Sequence, residues 1–282
     1  MIAAKTNNYK LITAKPFAPN LGAEIYGVDL STDLPDAQFA EVHQAFLDYQ
    51  VIFFKEQSEI SPEMQVKFGK RFGELHAHPA APTMKGHPEV FEIHATKDSK
   101  IANGEFWHSD VSCDERPPLG TMLQLHILPT CGGDTMFSNM YSAYDTLSDP
   151  LKMMLNGLTA THESEQIYKG RYKDRGKSDV DIDCPSAVHP VIRRHPETGK
   201  KGLFVNRTFT TKINDLSSNE SDAILEMLFR HAEHIDHQIR FRWSLHDMAF
   251  WDNRCCMHRA IWDYWPEERK GRRVTVLGDR PK

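Results

Sequence analysis

Short strand-like runs parted by turn residues constrain the fold of this 282-residue chain more than any other feature. Thr121 to Leu128, Thr135 to Met140, Leu158 to His162, Ala187 to Arg194, Leu203 to Asn206, Ile239 to Trp243, Met248 to Trp251 and Val274 to Leu277 are rich in β-formers, and many alternate. Gly132-Gly133-Asp134 and Pro196-Glu197-Thr198-Gly199 punctuate them. A parallel α/β fold needs a helix after nearly every strand, and those helices are missing. The pattern predicts a mainly β chain with flanking helices, arranged as a two-sheet jelly roll. Helices are expected over Asp36 to Gln50, capped by Asp36, from Ser61-Pro62 to about Phe72, and over Ser218 to Gln238. The first shows Phe39, Val42, Phe46 and Leu47 at helical spacing, the third Ile224, Leu225, Leu228 and Ile235. Val51-Ile52-Phe53-Phe54 reads as a buried strand. Glu163 to Pro185 is polar, aperiodic and long for a passive connection, so a lid-like insertion or plain disorder are the two readings.

Forty per cent hydrophobic residues suit a globular chain with a sizeable core, which 282 residues can bury as one domain. A formal net charge of -5 gives no electrostatic case for nucleic acid or an anionic membrane. Neither a signal peptide nor a membrane span is visible. Cys113, Cys131, Cys184, Cys255 and Cys256 are odd in number and form no CxxC pair, so free thiols in a reducing cytoplasm are expected. Whether the chain forms a homo-oligomer, dimer or tetramer, is left open.

Fifteen His make metal chemistry the first search. His-x-Asp/Glu is the short arm of a two-histidine, one-carboxylate metal triad. It occurs at His87-x-Glu89, His108-x-Asp110, His195-x-Glu197, His231-x-Glu233 and His234-x-Asp236, where chance would supply about two. The last two fall in the expected third helix, where residues two apart point roughly opposite ways. His87 and His195 precede Pro, beside a Gly and in a hairpin turn, and both motifs read as exposed. His108-Ser109-Asp110 sits in extended surroundings, where an i, i+2 pair shares one face. A distant His258, in the stretch Trp251 to Ala260, is the candidate third ligand; a satisfied core histidine is its alternative.

These residues fall in an ordered set. Leu21-Gly22-Ala23-Glu24-Ile25, Gly27-Val28-Asp29-Leu30, Tyr49 to Phe54 and Phe72 to Pro79 come first. Trp107-His108-Ser109-Asp110-Val111, Gly132-Gly133-Asp134-Thr135, Trp251-Asp252-Asn253, His258, Arg269 and Arg273 to Asp279 follow. In order and spacing the chain resembles, over nearly its whole length, the taurine dioxygenase family of iron(II)- and 2-oxoglutarate-dependent oxygenases, which includes phenoxyacid dioxygenases. The resemblance implies a double-stranded β-helix, or cupin-like jelly roll, with residues 1–282 as one dioxygenase domain. It implies that His108, Asp110 and His258 hold Fe(II), that Thr135 and Arg269 hold the distal carboxylate of 2-oxoglutarate, and that dioxygen is consumed. Arg273, with His78 and the backbone near Val111, would meet an anionic group of the primary substrate. Phe209 would line its pocket, as would Asn103, which stands one residue further from His108 than the family spacing. Succinate, carbon dioxide and a hydroxylated or cleaved product would result.

Two departures bear on the substrate. Taurine-specific members carry an aromatic three residues after the histidine matching His78, where this chain has Ala81. A second aromatic, after the segment matching Thr161-His162, is replaced by Ser164. With both rings absent, the expected substrate is an anion bulkier than taurine, a longer or aromatic sulfonate or a carboxylate such as a phenoxyalkanoate, unless Tyr168 or Tyr172 refills the space. The rivals are a metal-binding jelly-roll sensor and a zinc hydrolase, and neither accounts for Thr135 and Arg269. His76, His94, His126 and His189 carry no assigned role and are expected to be structural, while Cys255 and Cys256 stand near enough to His258 to be oxidation-sensitive.

Overall fold

The computed structural model describes residues 9–77, 83–101, 103–170 and 183–282. One large sheet carries Thr13–Pro16, Ala23–Tyr26, Val51–Phe54, Met248–Asp252, Gly120–Ile127, Arg269–Val276, His87–Ala95 and Thr83–Met84, in that spatial order. Its pairings are antiparallel except that of Ala23–Tyr26 with Val51–Phe54. A smaller sheet, Gln238–Phe241, Thr135–Asn139 and Cys256–Ala260, packs against its inner face. The two layers make the jelly roll that the strand pattern predicts.

Period-2 alternation explains why some strands read as unbroken apolar runs. In Val51–Phe54 every side chain is buried, but on two different sides. Val51 and Phe53 join Leu123, Leu125, Ala249 and Trp251 in facing Phe137, Ile239 and Phe241 of the small sheet. Ile52 and Phe54 join Met122, Met248 and Phe250 on the outer face, under helices Asp36–Tyr49 and Pro62–Lys70. There Phe46 stacks on Phe250 with ring centroids 4.1 Å apart. Truncating such a ring to Ala typically costs about 3–5 kcal/mol. A separate cluster seats helix Ser218–Ala232 against Ala160, Val191, Leu203 and Ile213.

Three expectations are corrected. Asp36 does not cap its helix: Pro35 takes the cap position, and the Asp36 carboxylate accepts from Arg71 Nη2 at 2.7 Å. The third helix stops at Ala232, where Ser138 Oγ donates to the Ala232 carbonyl at 2.6 Å. Pairing of Gln238–Phe241 with Thr135–Asn139 draws the chain into the sheet, and Ile235 is left 76% exposed. Ala187 to Arg194 is two strands, Ser186–Pro190 and Ile192–Arg194, which pair with different partners. Of the expected lid-like segment, Glu165–Tyr168 is helical, and 171–182 lies outside the described residues.

Candidate active site

His108 and His258 are held opposite each other by a two-way backbone bridge. His108 N–H donates to the His258 carbonyl (3.1 Å), and His258 N–H returns to the His108 carbonyl (2.8 Å). Both side chains therefore leave the bridge on one side, and Asp110, two residues on, meets them. Asp110 Oδ1 lies 3.6 Å from His108 Nε2 and 3.8 Å from His258 Nε2, and all three residues are buried. His108 Nδ1 sits 2.7 Å from the Phe106 carbonyl oxygen. A carbonyl only accepts, so Nδ1 carries a proton, and Nε2 is the ring nitrogen turned toward Asp110. Burial, followed by the His108 ring, pushes the His258 pKa well below its usual value, leaving that ring neutral. Two imidazoles and a carboxylate, with their donor atoms within 4.8 Å of one another, fit one iron-class divalent ion.

The carboxylate is fixed by residues from three other elements. Thr121 Oγ1 donates to Asp110 Oδ2 at 2.7 Å, and Arg273 Nη1 donates to Oδ1 at 2.9 Å. Asn253 Oδ1 accepts the Asp110 amide (3.1 Å) and Trp251 Nε1–H (3.1 Å), while Asn253 Nδ2 donates to Thr121 Oγ1 (3.0 Å). Burial opposes ionisation of Asp110 most strongly. The Arg273 guanidinium leads the groups that outweigh it, and the carboxyl is held well below its usual range. The turn carrying Asn253 is fixed by Asp252, which accepts from Arg254 Nε (2.8 Å) and Nη2 (2.7 Å) and from His195 Nε2 (3.0 Å).

A cavity opens on one side of His108, walled by Ile93, Leu123, Thr135, Trp251, His258 and Arg269. Arg269 is buried and donates from Nε to the Gly133 carbonyl at 3.1 Å, but its Nη2 has no partner among the described residues. Gly133 has φ +71, and an added Cβ would stand 3.2 Å from Arg269 Cδ, so glycine keeps this approach open. Thr135 Oγ1 accepts Trp243 Nε1–H at 3.0 Å, which leaves the hydroxyl proton to donate. The Trp243 ring also lies 5.8 Å from the Arg269 guanidinium carbon. An orphaned guanidinium nitrogen beside a free hydroxyl proton fits a carboxylate.

A second, adjoining cavity shares Phe91, Asn103, Gly104, His108 and Arg273 with the first. Asp110, Val111, Ile167, Tyr168, Thr208 and Phe209 complete it, with Glu105 and the exposed Phe106 also on its wall. Val111 adopts φ 45, a left-handed conformation that β-branched residues rarely take. Asn103, Val111, Phe209 and Arg273 thus come together around one space. His78 and Ala81 lie outside the described residues. Ser164 turns away, its hydroxyl on the Pro185 carbonyl at 2.9 Å. Four residues later the Tyr168 ring is buried, 6.2 Å from Phe209, so one aromatic wall is supplied from the short helix instead.

The other His-x-acid matches stay apart from this site. His234 and Asp236 are exposed beyond the helix end. His87 pairs with Glu63 from its strand His87–Ala95. His195 reads as exposed from its turn residues but is 1% exposed, because the ring packs inward onto Asp252. Cys255 and Cys256 are both buried, and burial raises their thiol pKa values, so the oxidation-sensitive thiolate is disfavoured. Thr121, Trp243 and Tyr168 are the contributors that sequence reasoning misses or holds only as an alternative.

The model for the taurine catabolism dioxygenase TauD, TfdA family matches residues 13–275. An alpha-ketoglutarate-dependent sulfate ester dioxygenase of Pseudomonas putida is 33% identical, over 94% of this chain and 89% of its own. The (S)-phenoxypropionate/alpha-ketoglutarate-dioxygenase of Sphingobium herbicidovorans is 31% identical, over 88% and 89%. Among solved structures, a taurine dioxygenase from Burkholderia xenovorans superimposes with a TM-score of 0.83 at 33% identity, covering 96% of this chain and 91% of the other.

Proposed function

Since the chain belongs to the TauD, TfdA family and is a 2-oxoglutarate-dependent dioxygenase, we propose that it oxidises a small organosulfur anion, a sulfonate or sulfate ester, with a tail bulkier and more apolar than that of taurine. The observation that carries this reading is the second cavity, where Arg273 is the cation in a wall otherwise rich in Phe91, Val111, Ile167, Tyr168 and Phe209. An apolar tail packed there gains about 25 cal/mol per Å² buried, whereas an ammonium group would lose its hydration. A reducing, cytoplasmic setting belongs to the same reading, supported by five cysteines without a disulfide.

His108, Asp110 and His258 are the residues to hold Fe(II). With 2-oxoglutarate and dioxygen, the bound ion supplies the oxidation, and succinate and carbon dioxide are the co-products. The rest is the work of the chain. Arg269 and Thr135 grip the distal carboxylate of 2-oxoglutarate through Nη2 and the free hydroxyl proton. Arg273, shared by both cavities, orients the anionic end of the substrate while Asp110 keeps it aimed. Asn103, the Val111 backbone and Phe209 define the remaining walls, with His78 the expected second anion contact. The buried aromatic wall excludes water from the reacting carbon.

The test compares kcat/KM, by coupled succinate formation, for taurine, hexanesulfonate, hexyl sulfate and 2-phenoxypropionate. The sulfonate and sulfate with hexyl tails are expected to lead. A preference for taurine overturns the size argument, and a preference for the phenoxy acid overturns the organosulfur assignment.

A further inference from the structure

Strand Gly120–Ile127 uses its inner face for Thr121 at the triad; its other face holds a second group of ligand-type side chains. Glu59, His126 and His246 have donor atoms within 4.8 Å of one another. His126 is the residue at which the ladder slips: Lys270 pairs with Ile127 and Gly271 with Leu125, so His126 is left over as a bulge and re-aimed. Its side chain is only 9% exposed, yet among the described residues neither ring nitrogen has a hydrogen-bond partner. His246 Nδ1 is buried and unpartnered as well. Buried imidazole nitrogens in that state are uncommon and point to a missing partner.

The surroundings hold the group together. Buried Gln124 accepts the Ile60 amide (3.1 Å) and donates to the carbonyls of Ser58 and His246, both at 2.9 Å. One side chain thus pins the loop bearing Glu59 and the turn bearing His246 beside His126. His126 Nδ1 lies 3.5 Å from Glu59 Oε1. Arg272 Nη2 donates to Glu59 Oε1 at 3.1 Å, which leaves Oε2 as the free carboxylate oxygen. A third cluster, His195, Asp252 and Cys255, lacks this character. His195 Nδ1 accepts the amides of Glu197 and Thr198, and its Nε2 donates to Asp252.

We propose that Glu59, His126 and His246 form a second divalent-metal site, separate from the triad and suited by its two imidazoles and one carboxylate to a borderline ion such as Zn²⁺. An ion there would tie the loop before helix Pro62–Lys70 and the turn before strand Met248–Asp252 to the sheet.

The test uses the full chain, stripped of metal, carrying Asp110→Ala to weaken the triad. Zn²⁺ binding is read by equilibrium dialysis and by the rise in melting temperature on adding the ion. Adding His246→Asn, a residue that tolerates the left-handed φ of 64 found there, should remove one bound Zn²⁺ per chain and the stabilisation with it. Glu59→Gln, at a half-exposed side chain, should weaken the same ion without disturbing the fold. Any Zn²⁺ that the triad retains is common to all the chains compared, so the outcome does not depend on the triad assignment. Equal Zn²⁺ stoichiometry and equal stabilisation with and without His246 or Glu59 would overturn the proposal.

Discussion

Thr121→Val separates iron binding from folding with the smallest change the site allows. Valine keeps the shape and removes a hydroxyl that donates to Asp110 Oδ2 at 2.7 Å and accepts from Asn253 Nδ2 at 3.0 Å. A hydrogen bond to a charged group is worth about 1.5–3 kcal/mol, which is roughly 10- to 150-fold in a binding constant. Supporting partners of metal ligands show losses of similar size, about 10- to 100-fold. Without the hydroxyl, Asp110 keeps Arg273 on Oδ1, the same oxygen that faces both histidines. The carboxylate should then rotate toward the arginine, and the iron concentration for half-maximal turnover should rise within that range. The assay titrates Fe(II) at saturating 2-oxoglutarate and substrate and follows succinate, with a thermal melt as the fold control. A folded Thr121→Val chain whose half-saturating iron stays within two-fold of the parent would refute the argument that this bond aims the ligand.

His258→Ala should abolish turnover and Fe(II) binding, whereas His234→Ala, at an exposed side chain, should leave both unchanged in the same assays. Arg269→Ala should mainly raise KM for 2-oxoglutarate and Arg273→Ala mainly that for the primary substrate, each by roughly 30- to 4,000-fold for a desolvated charge left unpaired; equal effects on both substrates would count against the division. Trp243→Phe keeps a ring beneath Arg269 but loses the indole N–H to Thr135, so KM for 2-oxoglutarate should rise about 2- to 10-fold with kcat retained. A hydrogen bond with His43 first, and then Arg254, hold the Glu197 pKa down to about 2 against the opposing effect of burial. A lowered carboxyl pKa stabilises the fold above the ordinary value of 4.5, and that contribution is lost as pH falls toward about 2. Glu197→Gln should therefore lower the melting temperature at pH 7, with the gap to the parent closing across that acid window.

Local periodicity carried much of this molecule into view. The i, i+2 spacing of His108 and Asp110 singles out one match among five, and the structure brings the pair together, His108 bridged to His258 and Asp110 opening the turn that follows. Thr135 and Arg269 gain meaning only from the resemblance, since no spacing rule brings together residues from two sheets. Thr121 and Trp243 were not legible at all: Thr121 meets Asn253 across 132 positions and Trp243 meets Thr135 across 108. His195 shows the opposite failure. Its Pro-Glu-Thr-Gly sequence correctly announces a turn, but turn chemistry says nothing about which flanking side chain folds inward. The helix Met140–Asp145 was hidden because the strand pattern ran straight into it. Asn139, whose side chain accepts the amides of Tyr141 and Ser142, was the available cap signal.

Beyond the five residues they share, the walls of the two cavities have different origins. Around Arg269, the wall residues Ile93, Leu123, Thr135, Trp251, His258 and Ala260 all stand on strands. Around the second cavity, Phe106, Ile167, Tyr168, Thr208 and Phe209 come from loops, turns and a one-turn helix. Mutations in those connections can reshape what fits without disturbing the ladders that hold the Arg269 cavity in register. Selection can therefore revise the diet of such an enzyme in small steps while its oxidising machinery is inherited intact, and a change of substrate need not pass through an inactive ancestor.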